Sequence, residues 1–184
     1  SMTKKILFVV GSTRKASFNQ LLAEEAAKLL KGKAEVSYLE YFQLPFMNQD
    51  LEFPAPEAVT KVREIVKAAD GIWVFSPEYN YSYPGILKNL LDWLSRPMVA
   101  GDYGSAAATG KKITVSNVAG KSTGSGSRAK LVELFGKIRM LPMEAPLTGV
   151  AIPPAVFGGA PMTFTEAQIT ELKAQAEAFL KFIE

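Results

Sequence analysis

Five short apolar runs, each bounded by turn-forming residues and separated from the next by a longer stretch, constrain this chain more than any other feature. They are Ile6–Val10, Val36–Leu39, Ile72–Phe75, Ile113–Val115 and, less cleanly, Leu147–Ile152. A segment apolar at successive positions has no polar face to turn to water, so it reads as a strand buried on both sides. Between the runs lie stretches with helical spacing. Phe18, Leu22, Ala26 and Leu29 line one face in the first, and Ile169, Leu172, Ala176, Phe179 and Ile183 line one in the last. Strand followed by helix, repeated five times, implies βαβ crossovers, which join parallel neighbours. The expectation is an α/β three-layer sandwich, a five-stranded parallel sheet with helices on both faces, in one domain over residues 1–184. With 48% apolar residues the chain can build such a core. Ser1 before Met2 reads as an expression scar and is set aside.

In an open α/β sheet ligands bind beyond the C-terminal ends of the strands. Function therefore belongs in the loops at 11–19, 76–84 and 116–128, while the loops at 40–56 and 97–110 carry no assignable chemistry. Composition then removes whole classes of mechanism. The chain has no cysteine and no histidine, which excludes disulfides, thiolate nucleophiles, Ser-His-Asp triads and the common zinc sites. An enzyme built from this sequence needs a cofactor to do its chemistry. The formal charge of +3 comes from 21 basic and 18 acidic residues scattered along the chain. That suits anionic small molecules and not nucleic acid. No run approaches the ~18 apolar residues of a membrane span, and Ile6–Val10 is too short for a signal-peptide core. A cytoplasmic, membrane-free protein is expected.

The first loop reads G-S-T-R-K-A-S-F-N from Gly11 to Asn19. Ser17 and Gln20 have capping-box spacing, which starts a helix there and lays the loop across its positive end. Free N–H groups, the hydroxyls of Ser12, Thr13 and Ser17 and the Arg14 guanidinium can surround a phosphate; equally, the same residues suit an ordinary helix cap with a solvated arginine. The Walker pattern G-x-x-x-x-G-K-[ST] is absent, so a terminal monophosphate fits better than a triphosphate.

The loop after Phe75 runs Ser76-Pro77-Glu78-Tyr79-Asn80-Tyr81-Ser82-Tyr83-Pro84-Gly85. Flat, polar-tipped tyrosines and stiff prolines at a strand end suit a wall against a planar ring, or an aromatic turn packed on a neighbour. The helix that follows carries Ile86, Leu87, Leu90, Leu91, Trp93 and Leu94. They cover an arc of about 160°, wider than the ~100° one core usually needs. A homodimer through this helix, residues 84–95, is the expectation. Gly124-Ser125-Gly126-Ser127-Arg128-Ala129 matches G-x-G-x-x-[GA], but it follows the fourth strand, where a dinucleotide fingerprint belongs after the first. These small residues are instead expected to let backbone approach a ligand's edge or to form a mobile flap.

The G-S-x-R-x-x-S-x-N loop, the segment P-E-Y-N-x-S-x-P-G-x-L-K-N-x-x-D-W-L-S and the strand-helix alternation together resemble the NADPH-dependent FMN reductase family, including its quinone, chromate and azo-dye reductases. The resemblance implies a flavodoxin-like fold, bound FMN, NADPH or NADH as electron donor, a small-molecule electron acceptor, and assembly as dimers or tetramers. It also implies that Ser12, Arg14, Ser17 and Asn19 hold the FMN phosphate, with main-chain contacts from Thr13 and Phe18. Pro77, Glu78, Tyr79, Asn80 and Tyr81 would line the isoalloxazine, with Ala119 and Gly120 in the third loop. No catalytic side chain and no metal is implied, the flavin N5 carrying the chemistry. Two other readings share the fold: a flavodoxin-type electron carrier without reductase activity, and a flavin-free nucleotide-binding protein.

Overall fold

In the computed structural model, which describes residues 3–184, the apolar runs are strands with shifted ends. The reading of Ser1 and Met2 lies outside the described residues. Strands β1 (Lys5–Val10), β2 (Glu35–Tyr38), β3 (Gly71–Phe75) and β4 (Lys112–Ala119) alternate with helices α1 (Phe18–Leu30), α2 (Glu57–Ala68) and α3 (Gly85–Ser95). After β4 come α4 (Ser125–Lys137), β5 (Leu141–Pro142), β6 (Gly149–Ala151), the single turn α5 (Pro154–Phe157) and α6 (Glu166–Phe182). All pairings are parallel and the order is β2-β1-β3-β4-β5, with β6 also on β4. This is the flavodoxin-like doubly wound order, whose strand order reverses beside β1 and β3. The first loop and the tyrosine-rich loop leave the sheet at those two strands.

Each strand's alternate residues feed opposite cores. Ile6, Phe8, Trp73 and Phe75 pack with Leu22 and Ala26 of α1 and with Phe179 of α6. Leu7, Val9, Ile72 and Val74 pack with Val62 and Val66 of α2, Leu90 and Leu91 of α3, and Leu131 and Phe135 of α4. The two-sided burial read from the apolar runs is thus realised by helices on both faces.

The fifth strand position departs from expectation. In place of one strand over 147–152 it holds two short ones: β5 pairs with Lys112 and Ile113, and β6 with Asn117, Val118 and Ala119. Pro142 and Pro146 have no N–H to give a ladder, which favours the break. The stretch of β4 left between them is served by the buried side chain of Gln175 from α6. Its Nε2 donates to the Val115 carbonyl at 3.0 Å and to Thr114 Oγ1 at 3.0 Å. Its Oε1 accepts from Ser116 Oγ at 2.7 Å and from the Thr148 N–H at 2.9 Å. One carboxamide thereby stands in for a missing piece of strand and satisfies main-chain groups that would otherwise be buried unpaired.

The wide apolar arc on α3 is also explained differently from the expected subunit interface. Leu87, Leu90, Leu91, Trp93 and Leu94 are all buried within the chain. The loop 40–56 lies along this helix and covers it. Trp93 Nε1 and Asn89 Nδ2 both donate to the Pro45 carbonyl, at 2.7 and 3.0 Å, and the Met47 N–H donates to Asn89 Oδ1 at 2.8 Å. Arg96 pairs with the buried Glu52, whose carboxyl this guanidinium holds below its ordinary range. The arc exceeds one core stripe because it meets two surfaces of the same chain, the sheet and this loop.

Candidate functional site

Residues 11–17 connect β1 to α1. Gly11 eases a close approach at the start: a Cβ there would lie 2.7 Å from Leu87 Cδ1 and 3.4 Å from Pro77 Cδ. The loop thereby leaves the strand running tight against α3 and the next loop. Ser17 caps α1 by accepting from the Gln20 N–H at 3.3 Å, and Ser12 Oγ accepts from the Arg14 N–H at 3.3 Å. Thr13, Arg14 and Lys15 are exposed, and the Arg14 guanidinium lies 4.9 Å from the centroid of the Phe18 ring. Among the described residues Arg14 has no carboxylate partner. Hydroxyls, an unpaired cation and a helix N-terminus thus converge, the arrangement that anions seek.

A cleft of about 190 Å³ joins this loop to the tyrosine-rich one. Ser12, Arg14, Ser17, Phe18 and Asn19 line it on one side, and Pro77, Glu78 and Tyr79 on the other. A second cleft, of about 320 Å³, opens on the β2 side of the same loop and takes in Thr13, Lys15, Tyr38 and Phe42. Eight of the residues singled out in the sequence therefore meet in one place. Thr13 faces the second cleft, and Asn80, Tyr81, Ala119 and Gly120 stand outside the lining of both. Ala119 is the buried last residue of β4, which runs on through what the sequence suggested was loop. Its carbonyl accepts from the Ile152 N–H at 2.7 Å.

Two of the lining side chains hold the architecture together. Asn19 Nδ2 donates to the Val118 carbonyl at 3.1 Å and its Oδ1 accepts from the Val118 N–H at 2.9 Å. It fastens the start of α1 to the end of β4, leaving one N–H on its nitrogen. Glu78 does the same for α4, whose N-cap, Gly124, has no side chain to offer. One oxygen of its carboxylate accepts from the Ser127 N–H at 2.9 Å and the other from Ser122 Oγ at 2.7 Å. Burial pushes this carboxyl upward, but the hydrogen bonds from Ser127, Ser122 and Gly126 and the Arg128 charge outweigh it, and the group is held below its ordinary value. Arg128 donates to Asn117 Oδ1 at 2.9 Å, and Asn117 Nδ2 donates to the Ser76 carbonyl at 2.9 Å, closing the tie from the other side.

This tie fixes the turn at Tyr79–Ser82. The N–H of each of these two residues donates to the carbonyl of the other, at 2.9 and 3.0 Å, and Asn80 and Tyr81 have φ of 51° and 64°. A two-residue turn with both central residues left-handed is the type I′ hairpin geometry. Asparagine tolerates it, whereas a tyrosine there is strained by on the order of 1 kcal/mol or more and needs support. Lys130 Nζ supplies some, donating to the Tyr81 carbonyl at 2.9 Å. Gly126 leaves room for it: a Cβ there would lie 2.7 Å from that carbonyl oxygen. The small residues of the G-x-G-x-x-A stretch do let backbone come close, but what comes close is the neighbouring loop and, at Gly124, the Asn117 side chain.

Sequence reasoning missed three lining residues, Val118, Ile152 and Phe157. Val118 and Ile152 come from strand ends whose positions depended on the split fifth strand, and Phe157 sits in a segment with no motif. It also missed Tyr41, in the loop 40–56, whose buried hydroxyl donates to the Val10 carbonyl at 2.7 Å and pins the end of β1 where the first loop begins. Burial pushes that phenol far up, so it stays protonated and keeps donating. Among the described residues no cluster of acidic groups could hold a metal ion, and no helix is long and apolar enough to cross a membrane.

Comparison with known proteins points the same way as the cleft. A family profile described as NADPH-dependent FMN reductase matches residues 4–152. A Pseudomonas putida protein described as quinone reductase is 32% identical over 169 residues, covering 91% of this chain and 84% of that protein. A Burkholderia protein described as 2-hydroxy-1,4-benzoquinone reductase is 42% identical over 96 residues, a match spanning about half of each chain, 52%. Among solved structures, FerB, a flavoenzyme NAD(P)H:(acceptor) oxidoreductase from Paracoccus denitrificans, superposes with a TM-score of 0.86 at 29% identity, covering 98% of this chain and 97% of that one.

Proposed function

The chain belongs to the NADPH-dependent FMN reductase family, and on that footing we propose that it is an NAD(P)H-dependent oxidoreductase that moves hydride from a nicotinamide through bound FMN to a small acceptor such as a quinone, azo dye, chromate or free flavin. The observation that carries the reading is the single cleft lined from both motif-bearing loops. Its residues fit the cofactor. Arg14 without a carboxylate partner, the hydroxyls of Ser12 and Ser17 and the start of α1 suit a phosphate dianion. Pro77 and Tyr79, with Phe18 opposite, offer apolar faces to a planar ring. FMN held there would supply the redox chemistry, hydride acceptance and electron transfer, that no side chain of this protein offers.

The chain's own part is positional. Arg14 and the serines would hold the phosphate and set the depth of the cofactor. Thr13 and Phe18 would add main-chain contacts, and Asn19 the one N–H it has left. Pro77, Glu78, Tyr79, Asn80 and Tyr81 would present main chain to the ring edge, on a turn that the Glu78 carboxylate keeps in place from behind. Ala119 and Gly120 would contribute from the end of β4 without lining the cleft. With no histidine or cysteine in the chain, acceleration rests on orientation and on a dry stacking surface, for which no proton-shuttling side chain is needed.

Self-association as a homodimer or tetramer belongs to the proposal, as do a single domain and a cytoplasmic setting. With the leucines of α3 covered, the loop 40–56 beside that helix offers an apolar surface to a partner copy, its Phe46 88% exposed. Sedimentation showing only a 20 kDa species would exclude self-association.

The test of function is the visible spectrum of the purified protein with FMN, then anaerobic titration with NADPH and NADH. Flavin bands bleached by a nicotinamide, and parallel double-reciprocal lines with a quinone, are expected. A protein that stays colourless with added FMN, or is reduced only through a partner reductase, overturns the reading.

A further inference from the structure

Phe157 is the one residue of the cleft that lies beyond the stretch matched by the family profile. The family match ends at residue 152, and Phe157 closes the short helix α5 that follows. Its side chain is 72% exposed and belongs to neither apolar core, yet it lines the same cleft as Phe18, Pro77 and Tyr79.

That exposure is built into the backbone. The Ile152 N–H donates to the Ala119 carbonyl at 2.7 Å, which anchors the segment to the end of β4 at the floor of the cleft. Pro153 and Pro154 fix the direction in which the chain leaves, and Pro154 starts the helical turn. The turn is then closed by the N–H groups of Gly158 and Ala160, both on the Ala155 carbonyl at 3.1 and 3.0 Å. A large aromatic held in water by a braced turn, facing a cleft with two other rings and a proline, is a wall with its contact missing.

Resting on the reading of the cleft as the FMN site, we propose that Phe157 is a further cofactor-binding residue, supplied by the turn after the profile-matched stretch and packing against the apolar part of the flavin. The lining that Phe157 shares with both motif-bearing loops favours the cofactor itself over the acceptor as the occupant. Phe157 lines the same cleft as Arg14 and Tyr79, so a cofactor seated on Arg14 and reaching Tyr79 runs past it. The phosphate has its own cation and hydroxyls; an aromatic ring has nothing to offer it. The contact of Phe157 is therefore with the flavin portion that FMN and riboflavin have in common.

The experiment is a fluorescence titration of the apoprotein with FMN and, separately, with riboflavin. Wild type is compared with Phe157→Ala, Phe157→Trp and Arg14→Ala. Phe157→Ala weakens both flavins by a similar factor, about tenfold, the order of one aromatic stacking contact. Phe157→Trp restores the affinity, and Arg14→Ala weakens FMN while leaving riboflavin unchanged. Equal affinity of Phe157→Ala and wild type for both flavins overturns the proposal, and a loss confined to FMN overturns the assignment to the flavin portion. A change in sedimentation with unchanged flavin affinity also overturns it, and gives Phe157 to a contact between copies. Failure of the wild type to bind either flavin is a different result: it removes the FMN site itself.

Discussion

Removing the Glu78 carboxylate tests how the turn at Tyr79–Ser82 is held. In Glu78→Ala the helix α4 loses its only side-chain cap, and the hydroxyl of Ser122 loses its acceptor. A lost cap costs about 1 kcal/mol and a charge-assisted hydrogen bond up to about 3 kcal/mol. Because the side chain is only partly buried, solvent replaces part of this, and about 1 to 2 kcal/mol is expected. For a chain of this size that lowers Tm by about 2 to 8 °C. Glu78→Gln separates charge from hydrogen bonding. Its carbonyl can accept from Ser127 and its amide can donate to Ser122, so only the charge facing the helix start is lost, about 0.5 to 1 kcal/mol. The sign with pH follows from the depressed carboxyl. The stabilisation is fully present above the ordinary value of 4.5 and disappears as pH falls through the lower folded value. Thermal melts carried from neutral pH into acid, below the depressed folded value, should therefore show wild type converging on Glu78→Gln, with Glu78→Ala remaining below both. A Glu78→Ala protein that melts with wild type, or a Glu78→Gln gap that does not close in acid, refutes the reasoning.

Arg14→Ala should weaken FMN binding by about 1.5 to 3 kcal/mol, roughly 10- to 100-fold, in a titration of the apoprotein; unchanged affinity removes Arg14 from the phosphate site. Gly126→Ala puts a Cβ 2.7 Å from a main-chain oxygen, which cannot swing aside as a side chain could. A loss of about 1 to 3 kcal/mol in denaturant unfolding, with weaker flavin binding, is expected, and a wild-type midpoint would show that the turn has slack. Gln175→Leu keeps the shape but strands the Val115 carbonyl and the Thr148 N–H, so chemical denaturation should show a loss of about 3 kcal/mol or more. A loss under 1 kcal/mol would mean that water replaces the carboxamide.

What was legible in the sequence divides along a physical line. Ile6–Val10 and Ile72–Phe75 announced themselves because two-sided burial leaves no polar positions, and the capping serine at 17 because helix starts need an acceptor. The cleft-lining residues of the first two loops were legible for the same reason, as local sequence with local chemistry. Interactions that cross the chain were not. Nothing near Glu78 in sequence says that it caps a helix starting at Ser125, and nothing near Gln175 says that it completes a strand. The leucines of α3 gave a true signal with two explanations, and only the path of the loop 40–56 decides between them. Phe157 carried no signal, since an isolated exposed aromatic after two prolines matches no pattern.

The interrupted fifth position bears on how this protein behaves when crowded. A sheet edge invites a strand from another molecule in proportion to the length of unpaired ladder it displays. Here that outer edge consists of strands of two and three residues, and the backbone between them is occupied by a side chain from α6. The opposite edge, β2, is four residues long and begins with Glu35. An incoming strand finds too little template on either side to register against. Copies of this chain can meet through side chains on their loops while their sheets stay separate, a safeguard against fibrous growth obtained by breaking a strand.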